Sequence, residues 1–163
     1  MKNYLAIDQG TTSSRSIIFN SKLEKIYDSQ KEYNLSYPDD GWVELNPDDV
    51  LRTVEETLKD VLLKCSDVEA CGLTNQRETT IVWSTETGEP IYPGIVWQDR
   101  RTNAYCDSLK LKGHEELVRN KTGLVLDPYF SATKIKWILD NVEGAREQAE
   151  GGKLAFGTID SYL

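Results

Sequence analysis

The chain has 163 residues, 39% hydrophobic and 28% charged, with a formal net charge of −8. That length suits one core-bearing domain and the composition is ordinary for a globular protein, while no apolar run approaches the length of a membrane-spanning helix. An isoelectric point of about 4.7 argues against a general nucleic-acid surface, yet it leaves room for a nucleotide held by local cations.

The first signal in chain order is Asp8-Gln9-Gly10-Thr11-Thr12-Ser13-Ser14-Arg15, set between the apolar runs Tyr4–Ile7 and Ser16–Phe19. Two such runs joined by a Gly-centred polar turn predict a β-hairpin. The turn gathers backbone N–H groups, hydroxyls, one carboxylate and one guanidinium, which is the inventory that a polyphosphate and its metal ion need. Thr11, Thr12, Ser13 and Arg15 are the candidate phosphate contacts, and Asp8 is the candidate for Mg²⁺. The same residues are also common turn formers, and the two readings weigh evenly here. No Lys follows as in a Walker loop, and the Gly-x-Gly-x-x-Gly spacing of a dinucleotide site is missing.

Strands over 3–8, 15–20 and 23–33 make a β-meander, and Pro, Asp and Gly make 36–42 a loop. Asn46 N-caps a helix over 47–64, with Pro47 at its first position and Asp48 and Asp49 in its first turn. Val50, Val54, Leu58, Val61, Leu62 and Cys65 form its apolar face. Strands follow at 70–74 and 79–83, and Thr87-Gly88 turns the chain towards 91–92 and 95–97. Helices are predicted over 100–110, 114–120, 131–141 and 143–150, then a strand over 153–157. Thr158 is placed to N-cap one more helix. The chain stops one turn into that element, which suggests a piece of a longer protein. A strand that starts at Asn3 argues against a cleaved leader, because cleavage would remove Asp8. Cys65, Cys71 and Cys106 form neither a metal-spaced cluster nor an even set, so they read as reduced thiols of a cytoplasmic protein. Meander, helix, strand is the order of an RNase H-like, actin-like α/β core in one unit.

A second polar constellation is Thr74-Asn75-Gln76-Arg77-Glu78-Thr79-Thr80. In a loop, a guanidinium that donates and a carboxylate that accepts can converge on a vicinal hydroxyl pair, so Arg77 and Glu78 suit a polyol. Taken alone, a surface strand of alternating polar residues outweighs that reading. Downstream, an apolar strand ending at Trp97 runs into Gln98-Asp99-Arg100-Arg101-Thr102. Its indole can wall a pocket or simply fill the core. After Asp127-Pro128, Tyr129 can offer its hydroxyl to a ligand or serve as a half-buried helix anchor.

Asp8 to Arg15 resembles the first phosphate loop of the actin-like ATPase superfamily. That loop together with Gly41-Trp42-Val43-Glu44, Gly72 to Trp83, Ile95 to Thr102, Gly123 to Lys134 and Phe156 to Asp160, in this order, closely resembles the glycerol kinases of the FGGY carbohydrate kinase family. The resemblance spans essentially the whole chain, and Asn75–Thr80 with Trp97–Thr102 is specific to the glycerol kinases. It implies that Thr11, Thr12, Ser13 and Arg15 contact the phosphates of ATP or ADP and that Asp8 sits near the metal. It further implies that Arg77, Glu78, Trp97 and Tyr129 bind glycerol, whose primary hydroxyl takes the γ-phosphoryl group. Members of the family are much longer, so residues 1–163 correspond to the N-terminal part of the first domain, with the second domain absent. The family's catalytic Asp then lies beyond Leu163, no residue here is assigned as the base, and the segment alone is expected to be inactive. Two alternatives stand beside this reading. One is a non-catalytic folded fragment or binding module, whose exposed apolar surface favours a homo-oligomer. The other is a kinase for another polyol or a ketose.

Overall fold

β1 (Tyr4–Gln9), β2 (Ser13–Phe19) and β3 (Lys25–Glu32) form the expected antiparallel meander in a computed structural model that describes residues 2–163. Short strands β4 (Leu35–Ser36) and β5 (Glu44–Leu45) lead into helix α1 (Pro47–Leu62). The Asn46 side chain caps α1 by accepting from the Asp48 amide at 3.1 Å, leaving Pro47 at the position where no amide is needed. β6 (Ala70–Asn75) then pairs parallel to β1 and completes a sheet of order β3-β2-β1-β6. This parallel pairing of β6 with β1 is what brings the Thr74–Thr80 segment beside the Asp8–Arg15 turn.

α1 packs on the face of the sheet that carries Leu5 and Ile18, with Val61 closing that core. The same face holds two hydroxyl pairs, Ser14–Thr53 at 2.8 Å and Ser16–Thr57 at 2.9 Å, all four residues fully buried. This explains why β2 begins at Ser13 and not at the predicted residue 15. Ser14 looks like a turn residue in the sequence, but Ser14 and Ser16 alternate inward and find hydroxyl partners on α1, so their burial leaves no unpaired group.

The rest of the chain wraps the end of this layer. β7 (Ile81–Ser84) pairs with β9 (Leu154–Gly157), and β8 (Gly94–Ile95) pairs with β5. Helices α2 (Asn103–Leu111), α3 (Glu115–Thr122), α4 (Ser131–Asn141), α5 (Ala145–Glu150) and α6 (Ile159–Tyr162) complete it. Thr158 is the N-cap residue of α6, as predicted, although its hydroxyl turns to the Asp160 carboxylate. Tyr33, Val43, Leu45, Val50, Ile81, Val96 and Ile159 make the second core. Two bounds differ from expectation in ways that matter for the site. β8 ends at Ile95, so Trp97 stands in a turn and not on a strand end. α2 starts at Asn103, not near residue 100, because Arg101 is drawn into the interior. Among the described residues no helix is long and apolar enough to cross a membrane.

Gly94 sits where the small sheet crosses the core. A Cβ there would meet Leu45 Cδ1 at 2.7 Å and Ile81 Cγ1 at 3.3 Å. Both neighbours are buried core residues, so neither can swing into solvent. Gly94→Ala is therefore expected to cost about 1–3 kcal/mol by overpacking, read as a lower urea midpoint of the chain. An unchanged midpoint would show that the β5–β8 pair can spread.

Candidate functional site

The Asp8–Arg15 turn is a tight hairpin end. The Gly10 amide donates to the Ser13 carbonyl at 2.8 Å, and an added Cβ at Gly10 would press on that same oxygen at 3.2 Å. Asp8 and Arg15 face each other across the β1–β2 register, with Thr74 beside Asp8 on β6. Since cross-strand partners share a face, Asp8 and Arg15 lie on the side of the sheet away from α1. Asp8 is exposed. Arg15 donates through Nη2 to Asp28 Oδ2 at 2.6 Å, and hydrogen bonds from Arg15 and Lys25 hold the Asp28 carboxyl below its ordinary range. The Arg15 Nε is buried without a partner among the described residues, a donor of the kind an anion satisfies. No group of three or more His, Cys, Asp or Glu is placed to hold a metal among the described residues. A single carboxylate beside a phosphate loop still fits Mg²⁺, which arrives with nucleotide phosphates and keeps most of its waters.

Beneath the turn lies a polar network that the sequence did not reveal. The Gly10 carbonyl accepts from the Tyr33 hydroxyl at 2.6 Å, Gln9 Nε2 at 2.8 Å and Gln76 Nε2 at 3.0 Å. Gln76 Oε1 accepts from the Thr79 hydroxyl at 3.0 Å, and Thr79 Oγ1 accepts from the Trp97 amide at 3.2 Å. Gln9, Tyr33, Gln76 and Thr79 are all buried, and burial pushes the Tyr33 hydroxyl up to about 12. Such a satisfied buried network fixes geometry. Here it ties the hairpin turn to the loop after β6 and to the turn that carries Trp97.

The two predicted constellations meet at a cavity of about 300 Å³ lined by Thr11, Asn75, Gln76, Arg77, Trp97 and Tyr129. Trp97 Nε1 donates to Thr11 Oγ1 at 3.1 Å. The Trp97 and Tyr129 rings meet edge to face, with centroids 6.0 Å apart. Of the predicted residues, Thr11, Arg77, Trp97 and Tyr129 therefore share one cavity. Ser13, Arg15 and Asp8 belong to the hairpin rim beside it, and Thr12 is exposed at its tip with its carbonyl accepting from the Tyr33 amide at 3.0 Å. Glu78, next to Arg77 in the chain, is not among the residues that line the cavity; it is half-buried and has φ +67, a left-handed backbone that costs a residue with a Cβ about 1–3 kcal/mol.

Two basic residues that looked ordinary in the sequence hold this architecture. The Arg101 side chain has no exposure; it bridges Asp99 and Glu44, each at 2.8 Å. Its guanidinium carbon lies 3.9 Å above the Trp42 ring and 4.6 Å from that of Trp137. Burial opposes its charge, but the hydrogen bonds it donates to Asp99 and Glu44 outweigh that and raise the guanidinium's affinity for its proton. Lys134, fully buried on α4, donates to the main-chain carbonyls of Glu78 and Tyr129. Burial pushes its ammonium down to about 8, with Glu78, Asp99 and Asp127 pulling the other way.

That last shift has a sign. The unfolded chain keeps the Lys134 proton up to its ordinary 10.5, whereas the folded chain releases it near 8. The unfolded state thus binds more protons between these values, so this group makes stability rise with pH there. Below pH 8 the burial of charge costs about 3 kcal/mol in full. Cys106 and Tyr33, both raised by burial, act in the opposite direction. The expected result is thus a difference: between pH 8 and 10 the stability of the wild type climbs relative to Lys134→Met. Parallel denaturation midpoints across that window would refute it.

Residues 3–163 match the FGGY family of carbohydrate kinases, N-terminal domain. A glycerol kinase of Marinomonas sp. is 56% identical, with 98% of this chain and 33% of the relative covered. One from Alteromonas mediterranea is 57% identical, covering 99% and 34%. The chain thus spans about a third of the length of the curated relatives it matches. Among solved structures, Plasmodium falciparum glycerol kinase with ADP superposes with a TM-score of 0.96 at 28% identity, over 100% of this chain and 33% of that one. A xylulose kinase from Lactobacillus acidophilus, 21% identical with a TM-score of 0.85 over 99% of this chain and 32% of its own, shares the fold. Matched nearly end to end by the family's N-terminal domain, the chain belongs to the FGGY family of carbohydrate kinases.

Proposed function

We propose that this chain is the N-terminal part of the first domain of an ATP-dependent, cytoplasmic glycerol kinase. The observation that carries the reading is the cavity in which Thr11 of the hairpin turn and Arg77, Trp97 and Tyr129 stand together. One side is a phosphate-type loop, and the other is a guanidinium with two aromatic walls sized for a small polyol.

Arg77 donates to hydroxyl oxygens and Glu78 accepts from hydroxyl protons, while Trp97 and Tyr129 cover the carbon face and keep water off it. The Thr11, Thr12 and Ser13 hydroxyls, with the hairpin amides, donate to nucleotide phosphate oxygens. Arg15 exchanges Asp28 for them and offsets their charge. Mg²⁺, held through Asp8 and the phosphates, would supply further charge neutralisation. The primary hydroxyl oxygen of glycerol bonds to the γ-phosphorus as the β,γ-bridging bond breaks, giving glycerol 3-phosphate and ADP. The hydroxyl proton passes to a base, which the resemblance to the glycerol kinases implies is an Asp beyond Leu163, so the segment alone is expected to be inactive.

Release of ADP by the full-length kinase, followed with glycerol, other polyols and a pentulose in turn, tests the reading. Glycerol is expected to give the highest kcat/KM by about a hundredfold or more, a ratio within reach of a site that pairs substrate hydroxyls. A preference for the pentulose would overturn it.

A further inference from the structure

Lys134 is in an expensive place. Its side chain is fully buried, which disfavours its charge, and it stands in the first turn of α4, where the helix dipole repels a cation. Its Nζ is spent on main-chain carbonyls, those of Glu78 at 3.3 Å and of Tyr129. Holding a long flexible side chain in one rotamer adds an entropic cost.

What these costs secure is specific. Glu78 has a left-handed backbone, φ +67, which a residue with a Cβ keeps only when its surroundings hold it. The Glu78 carbonyl accepts from Thr80 Oγ1 at 3.1 Å, two residues on in the same loop, and from two side chains of α4, Ser131 Oγ at 3.2 Å and Lys134 Nζ at 3.3 Å. Tyr129 precedes that helix and reaches Lys134 through its own carbonyl. One ammonium thus joins two segments far apart in the chain, and each carries a side chain assigned to glycerol.

We propose that Lys134 is the positioning residue of the polyol subsite: by bonding the Glu78 and Tyr129 carbonyls together, it sets where the carboxylate and the ring stand against the substrate. The inference rests on the glycerol reading of the cavity. It adds a residue that touches no substrate and whose loss acts on glycerol and not on ATP. The charged groups around Lys134 are Glu78 from the loop before β7, Asp99 from the turn before α2 and Asp127 from the loop before α4. Cys106 on α2 is the nearby thiol. The ammonium is charged below about 8, so its hold on the two carbonyls weakens as pH rises through that value.

The experiment is steady-state kinetics of the full-length kinase from pH 6.5 to 9.5, with glycerol and ATP varied separately, for the wild type, Lys134→Met and Cys106→Ser. In Lys134→Met the glycerol KM is expected to rise about tenfold or more while the ATP KM stays within about twofold. In the wild type and in Cys106→Ser the glycerol KM is expected to climb about threefold above pH 8, and in Lys134→Met to stay flat. A glycerol KM unchanged in a folded Lys134→Met enzyme would overturn the proposal, whatever its melting temperature. So would equal losses for both substrates. If the variant does not fold, the wild-type profile decides: a glycerol KM flat to pH 9.5 refutes the role. Failure of the underlying reading looks different, since the wild type would then not phosphorylate glycerol at any pH.

Discussion

Arg101→Met is expected to destabilise the chain by about 3–5 kcal/mol, the cost of stranding buried charge. Removing the guanidinium leaves the Asp99 and Glu44 carboxylates, 1% and 8% exposed, without their cation. It also removes the cation–π contacts with Trp42 and Trp137, a smaller contribution. The loss has a diagnostic: adding Glu44→Gln and Asp99→Asn to Arg101→Met is expected to restore at least about 1 kcal/mol, because the stranded charges are then neutral. No recovery in the triple variant would assign the effect to lost ring packing. Arg52→Ala, which breaks exposed pairs with Asp49 and Glu56, serves as the control and is expected to leave the denaturation midpoint in place. The consequence reaches the site, because Asp99 anchors the turn that carries Trp97. Its Oδ2 accepts from the Val43 amide at 2.6 Å, and its own amide donates to Val96 at 2.9 Å.

These residues also show where a sequence stops being legible. The meander, α1 and the strand at 70–74 follow from patterns of period two and 3.6, and the Asn46-Pro47 start of α1 is written in its capping residues; the parallel pairing of β6 with β1 is seen only in the fold. The hairpin turn was readable because its function needs local neighbours. Arg77, Trp97 and Tyr129 were individually ambiguous, and only their ordered recurrence as a family set raised them above surface or core readings. Arg101 and Lys134 gave no local signal. Arg101 reads as part of a solvated helix start, and Lys134 as an ordinary polar position on α4. Their burial is decided by partners distant in sequence, Glu44 and Trp137 for one and Glu78 for the other. The Gln9–Tyr33–Gln76 network is equally nonlocal. Ser14 misled for a related reason: a hydroxyl beside a turn looks like a turn residue until α1 supplies Thr53.

Trp97 is where the two halves of the site touch, and its substitutions should separate them. Trp97→Ala in the full-length kinase removes the aromatic wall, the edge contact with Tyr129 and the bond to Thr11. A loss of about 2–3 kcal/mol in glycerol binding is expected for a central aromatic anchor, a rise in KM of about 30- to 150-fold. Trp97→Phe keeps most of the wall but cannot donate to Thr11 Oγ1. One neutral hydrogen bond is worth about 1 kcal/mol, so glycerol KM should move little while ATP KM rises about fivefold as the hairpin turn loosens. The direction of this split follows from the geometry, since the ring faces the cavity and its Nε1 faces the phosphate loop. Steady-state kinetics of the two variants with each substrate varied in turn measures it. If Trp97→Phe weakens glycerol and ATP equally, the indole acts as one rigid wall, and the Thr11 bond carries no information between the two subsites.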